Sequence, residues 1–134
     1  MKQFDVQGVR LRVPAKKSFA FIADPANLPI WAKAFRTVSN GRAMLQTPGG
    51  AVEIRLTVEA SDKRGTIDWI MEFPDGAVAR ACSRIVPITA EDCVYSFVLL
   101  PPPVPLEQLE GALEQQSRIL KEELQTLKTI LEQG

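Results

Sequence analysis

The chain has 134 residues, enough for one domain with a real hydrophobic core, and we expect a single domain over residues 1–134. Its 16 Lys and Arg residues balance 16 Asp and Glu residues, so composition disfavours binding to nucleic acid or to an anionic membrane. There is no histidine and the two cysteines are isolated, which removes the usual metal ligands, so we expect no metal and no cofactor.

No apolar run approaches the length of a membrane-spanning helix, and the first residues lack the basic flank and apolar stretch of a signal peptide. These features predict a cytoplasmic protein with no integral membrane segment. Cys82 and Cys93 both fall within predicted strands, where small buried or half-buried side chains are expected. A disulfide between adjacent strands is the alternative for this pair.

The first third of the chain predicts one strand followed by two short helices. Residues 9–13 alternate apolar and basic side chains and precede Pro14, as in a half-buried strand. The apolar period changes over residues 16–22, which predicts a short helix. Asp24-Pro25 then has the pattern of a helix cap with proline in the first turn, so we expect a second short helix over residues 28–32.

Residues 42–100 predict an antiparallel meander, which with the first strand gives a curved sheet of about six strands. Residues 52–59 alternate apolar and polar side chains, as expected for a strand with one buried face. Turn sequences stand at residues 48–50, 62–65 and 74–76. The last strand, residues 91–100, is apolar on both faces, so the sequence leaves its inward side open.

The end of the chain, residues 105–132, predicts one long amphipathic helix after a proline-rich connector. Leu106, Leu113, Leu120 and Leu127 recur every seven residues and form part of a stripe that marks one buried face. Such a helix would span roughly 42 Å and needs a long surface to lie on. We therefore expect an α+β fold in which the sheet grips this C-terminal helix.

The turn Pro74-Asp75-Gly76 predicts the register of the central hairpin. On one face it places large side chains opposite small ones: Phe73 with Ala77, Met71 with Ala79, Trp69 with Ala81 and Ile67 with Ser83. Ordinary core packing and a pocket beneath the helix both explain that face. On the other face, Asp68 and Arg80 are expected to form solvated ion pairs, with an acid–base pair as the alternative.

The leucine stripe of the helix is interrupted by Gln116 and Ser117, where a further leucine would be expected. A polar break in a buried face often marks a hydrogen bond to backbone or a water-filled cavity. The break favours a cavity, and we expect a ligand to lie under it.

The order of one strand, two short helices, a meander and a long terminal helix resembles the START-like or SRPBCC superfamily, which has the helix-grip or Bet v 1-like fold. The resemblance covers essentially the whole chain and is carried by Ser18-Phe19, residues 24–31, residues 65–69 and the helix 120–131. It implies a hydrophobic cavity between sheet and helix, entered near the short helices. The superfamily includes polyketide cyclases and aromatases as well as lipid and hormone carriers, so it specifies fold better than function.

The resemblance also implies which residues line the cavity. The candidate ligand-binding residues are Trp31, Trp69, Met71, Phe73, Ser83, Tyr95, Gln116 and Leu120. Trp31 has an alternative role as a plug that anchors the short helices to the sheet. The resemblance assigns no catalytic residue.

Three functions remain open at this point. The first is binding of a small hydrophobic molecule such as a lipid, an isoprenoid or a polyketide. The second is a cyclase or dehydratase that would draw on Tyr95, Asp68, Arg80 or Arg55 for acid–base chemistry. The third is an interaction module or homodimer that uses the leucine heptad or the two-sided apolar strand.

Overall fold

An antiparallel sheet of seven strands packs against three α-helices within residues 3–47, 50–101 and 112–134, the parts of the chain that the computed structural model describes. The strands are β1 (Asp5–Leu11), β2 (Phe35–Ser39), β3 (Arg42–Thr47), β4 (Gly50–Ser61), β5 (Thr66–Glu72), β6 (Val78–Pro87) and β7 (Cys93–Leu99). The helices are α1 (Ala15–Ile22), α2 (Leu28–Trp31) and α3 (Ala112–Gln133), with a 3₁₀ turn over Pro25–Asn27 before α2. The strand order is β1-β7-β6-β5-β4-β3-β2: strands β2 to β7 form a meander, and β1 pairs with β7 at one edge of the sheet. The expected α+β fold is confirmed.

The sheet has one strand more than the six or so predicted, and the addition is β2. Its side chains alternate only weakly between partly buried and exposed, and its pairing with β3 shifts between Phe35 and Thr37. Asn40 and Gly41 join β2 to β3 with positive φ angles of 53° and 74°. Asn-Gly is a strong hairpin signal because the type I′ turn, common in two-residue hairpin loops, requires positive φ at both positions. That dipeptide was the overlooked indication of the seventh strand.

The leucine stripe of α3 packs on the inner face of the sheet, as the sequence predicted. Its buried members are Leu113, Leu120, Leu124, Leu127 and Leu131. The helix is confirmed over Ala112–Gln133, whereas the predicted first turns at residues 105–111 lie outside the described residues.

Side chains of α3 also bond to the free edge of β1. Lys128 Nζ donates to the backbone oxygen of Arg10 at 2.7 Å, and Glu132 accepts a hydrogen bond from the backbone N–H of Arg12 at 2.9 Å. Nearer the start of the helix, Gln7 Nε2 donates to the backbone oxygen of Ser117 at 2.8 Å. The helix therefore follows the edge of the sheet as well as covering its face.

The predicted register of the β5–β6 hairpin is confirmed. Trp69 lies opposite Ala81, Met71 opposite Ala79 and Ile67 opposite Ser83. The backbone N–H of Phe73 donates to the oxygen of Ala77 at 2.9 Å, and so closes the turn as expected. Large and small side chains thus alternate across the inner face of this hairpin.

The structure determines which side of β7 faces inward. Cys93, Tyr95 and Phe97 are buried on the inner face, whereas Val94 and Val98 are only partly buried on the outer one. Cys82 lies opposite Val98 and shares that outer face. The two cysteines are free and stand on opposite faces, so the alternative of a disulfide between them is wrong.

Gly65 provides a test of the hairpin geometry at the β4–β5 turn. Its φ is +72°, and a Cβ atom there would lie 2.2 Å from the backbone oxygen of Ile85. Gly76 has a φ of +91° but has open space around it. We expect Gly65→Ala to lower the free energy of unfolding by about 3 kcal/mol or more and Gly76→Ala by about 1 kcal/mol, since only the first adds a backbone clash to the positive-φ cost.

Urea unfolding of both variants beside the unmodified protein measures this difference. Equal losses in the two variants would show that the clash at Ile85 is relieved without cost.

Candidate functional site

The candidate ligand-binding residues come from α3 and from four elements that meet beneath it. Trp69 and Met71 lie on the inner side of β5 and Phe73 directly follows that strand, while Ser83 and Tyr95 lie on the inner sides of β6 and β7. Trp31 enters from α2, and Gln116 and Leu120 are on α3. The fold therefore brings residues that are distant in sequence to one layer between sheet and helix.

Burial divides these residues into two groups. The buried group comprises Trp31, Trp69, Ser83, Tyr95 and Leu120. Met71, Phe73 and Gln116 are only partly buried. Along β5 the burial decreases from Ile67 toward the hairpin turn at Phe73, so the layer is closed at one end and more open at the other.

Aromatic rings form the closed end of the layer. The ring of Tyr95 makes an edge-to-face contact with Trp31 at a centroid distance of 6.4 Å and another with Phe97 at 6.3 Å. Edge-to-face pairs add roughly 0.5–1.5 kcal/mol to the effect of burial alone. The contact between Trp31 and Tyr95 joins α2 to β7.

Three buried polar side-chain atoms have no hydrogen-bond partner within the described residues: Trp31 Nε1, Tyr95 Oη and Ser117 Oγ. Leaving a buried donor unpaired costs roughly 1–3 kcal/mol, so proteins rarely accumulate such groups without a reason. By contrast, the nearby Ser83 hydroxyl is satisfied, since it donates to the backbone oxygen of Ile67 at 2.6 Å. The unpaired atoms are the main chemical feature of the layer.

Burial raises the pKa of the Tyr95 phenol well above its ordinary value, although the adjacent Ser83 and Trp69 act in the opposite direction. Tyr95 is fully buried, and its hydroxyl has no hydrogen-bond partner among the described residues. The side chain is therefore a neutral phenol that holds its proton near neutral pH.

Gln116 and Ser117, which interrupt the leucine stripe of α3, differ in their contacts. Ser117 offers its backbone oxygen to Gln7, and Gln7 in turn donates to Asp5 at 2.7 Å. The Ser117 hydroxyl stays buried and unpaired, and Gln116 is partly exposed beside it. Part of the break is thus explained by attachment to β1, whereas the Ser117 hydroxyl has no partner within the described residues.

Glu123 is an ionisable residue of α3 that the sequence pattern does not single out. Its carboxylate accepts a hydrogen bond from the backbone N–H of Lys33 at 2.5 Å, while Glu122 pairs with the Lys33 ammonium at 2.6 Å. Desolvation raises the pKa of Glu123 to about 7, against the lowering effect of the Lys33 contacts. The sequence feature that could have identified Glu123 is its position one turn after Leu120, next to the leucine stripe. Seven residues separate it from Gln116, which places both on the same side of the helix.

The other proposed acid–base groups are not assembled with Tyr95. Asp68 and Arg80 lie on the outer face at 3.6 Å from each other, and Arg80 also approaches Glu59 at 3.7 Å. Arg55 is an exposed residue of β4 whose side chain alternates with the inward Ile54 and Leu56. The described residues contain no group of three or more metal-ligating side chains, and none of their helices is long and apolar enough to cross a membrane.

A separate, open cleft of about 370 Å³ lies between β1 and α3. It is lined by Asp5, Gln7, Gly8, Val9, Lys121, Leu124 and Gln125. None of the predicted ligand-binding residues lines it, so it is distinct from the layer described above.

Comparison with known proteins identifies the fold. The sequence matches no known protein family and no curated protein. Among solved structures, a START superfamily protein from Mycobacterium smegmatis superposes with a TM-score of 0.69 at 14% identity, over 98% of this chain and 99% of that one. The Zhui aromatase/cyclase from Streptomyces sp. R1128 gives 0.65 at 12% identity, over 96% and 90%.

A third similar structure contains the fold as part of a longer chain. The di-domain aromatase/cyclase BexL of the BE-7585A biosynthetic pathway gives a TM-score of 0.68 at 18% identity, over 96% of this chain and 46% of that one. These likenesses show that the chain has the START-like helix-grip fold, as its sequence indicated.

The raised pKa of Glu123 predicts a pH dependence of stability. Between its ordinary value of 4.5 and about 7, the folded protein keeps a proton that the unfolded chain has released. The free energy of unfolding should therefore fall as pH rises through this window, by up to about 3 kcal/mol, and level off above it. Glu123→Gln, which keeps an acceptor for the Lys33 N–H, should remove the slope.

Urea unfolding between pH 5 and pH 8 measures this effect, with Glu122→Gln as the matched control. The pKa of Glu122 is lowered by its hydrogen bond to Lys33, so its titration lies below this range. Parallel stability curves for the unmodified protein and Glu123→Gln would contradict the assignment.

Proposed function

We propose that this protein binds a small, predominantly hydrophobic molecule in the layer between the inner face of the sheet and α3. The observation that carries the proposal is the set of unpaired buried polar atoms of Trp31, Tyr95 and Ser117 within otherwise apolar surroundings. Binding sites for such molecules combine apolar walls with a few polar groups that fix orientation. The proposed walls are the eight residues inferred from the sequence: Trp31, Trp69, Met71, Phe73, Ser83, Tyr95, Gln116 and Leu120.

The side-chain sizes in the central hairpin support this location. Ala79 and Ala81 stand opposite Met71 and Trp69, so one strand of the pair contributes little volume beneath the helix. The partial exposure of Met71 and Phe73 supports access from the hairpin end. A lipid, an isoprenoid or a polyketide would satisfy the apolar requirement of such walls.

The structural neighbours support ligand binding in general terms. They include aromatase/cyclases, whose fold this chain shares at low sequence identity. A cyclase or dehydratase reaction in this chain would need at least two ionisable groups facing a common space. Tyr95 alone of the four groups considered from the sequence faces inward. Glu123 is only partly buried and its carboxylate is bonded to the backbone N–H of Lys33, and we therefore prefer binding over catalysis.

A homodimer and a cytoplasmic location stay predictions from the sequence. Phe4 and Val6 are exposed, and Val6 lies opposite the partly buried Val98, which gives the outer face an apolar area at the β1–β7 edge. Light scattering at several concentrations tests whether a second copy covers this area.

The binding proposal predicts uptake of a neutral fluorescent probe, N-phenyl-1-naphthylamine. Ala81→Leu should weaken its binding at least about fivefold, because the larger side chain occupies space opposite Trp69. Ala51→Leu makes the same substitution at an exposed site on β4 and should leave binding unchanged. Fluorescence titration measures both affinities, and circular dichroism verifies that each variant is folded.

Native mass spectrometry of protein purified without detergent provides a second measurement. The proposal fails if the unmodified protein retains no bound species and shows no saturable probe binding.

A further inference from the structure

We infer that the ligand carries a neutral oxygen that accepts hydrogen bonds, such as a ketone carbonyl, and that Trp31 and Tyr95 donate to it. This inference rests on the proposed function, since it assigns the ligand chemistry of the same layer. Three features of the interior support it: the hydrogen-bonding character of Trp31, the surroundings of Tyr95 and the distribution of buried charge.

The indole of Trp31 can only donate a hydrogen bond. Its side chain is almost fully buried, with 3% of its surface exposed, and Nε1 has no acceptor among the described residues. A ligand that presented a further donor here would leave both groups unpaired. An acceptor oxygen removes the cost of the buried N–H.

The proton of the Tyr95 hydroxyl also lacks an acceptor. Among the described residues the Tyr95 hydroxyl has no hydrogen-bond partner. The Trp69 indole can only donate, and the Ser83 oxygen, whose own proton goes to the backbone oxygen of Ile67, is adjacent without forming a hydrogen bond to it. The rings of Trp31 and Tyr95 are in edge-to-face contact, so the two side chains that carry the unpaired donors are neighbours. One end of the ligand therefore meets two hydrogen-bond donors.

The interior favours a neutral acceptor over an anion. The buried polar or charged residues in the described ranges are Asp5, Ser18, Ser83 and Asp92, and no lysine or arginine is among them. Asp92 is already paired with Arg10. An anionic group beside Tyr95 would lose its hydration without gaining a buried cation, which is a large cost. A carbonyl oxygen needs no such partner.

Three probes of similar shape test this chemistry: benzophenone, diphenylmethane and diphenylacetate. Tyr95→Phe keeps the ring and removes the donor. We expect it to weaken benzophenone binding about tenfold and to leave diphenylmethane binding unchanged or slightly stronger, because only the ketone loses a hydrogen bond. Diphenylacetate should bind more weakly than benzophenone.

Titration of ¹⁵N-labelled protein followed by NMR gives these affinities and also an independent readout in the unmodified protein. Benzophenone should shift the indole N–H signal of Trp31 downfield relative to diphenylmethane, with Trp69→Phe identifying which indole signal is which. Diphenylmethane binding to Tyr95→Phe shows that the variant retains its fold.

The outcomes separate the two proposals. Tighter binding of diphenylacetate than of benzophenone, or equal effects of Tyr95→Phe on ketone and hydrocarbon, overturns the neutral acceptor and leaves hydrophobic binding intact. Binding of N-phenyl-1-naphthylamine without any binding of benzophenone also overturns it. If neither that probe nor any of the three compounds binds, the proposed function itself falls.

Discussion

The contact between the leucine stripe of α3 and the inner face of the sheet is the interaction on which the rest of the structure depends. A single sheet exposes two faces, and the apolar one must be covered by another layer. Leu120, Leu124 and Leu127 are nearly or fully buried in this contact, and each contributes about 2 kcal/mol by the usual measure of side-chain burial. The same helix keeps water from Tyr95 and Trp31, so their unpaired polar atoms and the raised pKa of Tyr95 are consequences of this packing.

The sequence predicted most of this architecture because its local signals agreed with the global fold. The turn at residues 74–76 predicted a register in which Ile67, Trp69 and Met71 lie opposite small residues of β6, and the structure has that register. The cap at Asp24 is also present, with its carboxylate accepting from the N–H of Ala26 at 3.0 Å. The long helix followed from a leucine period that needed an extended surface.

The remaining features depend on contacts that sequence spacing does not encode. β7 is apolar on both sides, so its alternation did not reveal that Tyr95 points inward while Val94 points outward. Glu123 resembles any surface acid on a helix until the N–H of Lys33, ninety residues earlier, meets its carboxylate. The unpaired state of Trp31 Nε1 is likewise a property of the assembled interior. The residues expected near a ligand were identifiable, but their hydrogen-bonding roles were not.

The bonds from Lys128 and Glu132 to backbone groups at the edge of the sheet protect the protein against aggregation through its edge strand. An open sheet offers unpaired backbone groups at its edges, and another chain can extend the sheet there and start aggregation. The backbone groups of Arg10 in β1 and of Arg12 just after it are already bonded to side chains of the helix. The opposite edge, β2, is short and irregular at Phe35, which is another way to discourage strand addition. Strand addition is thereby discouraged at both edges of the sheet.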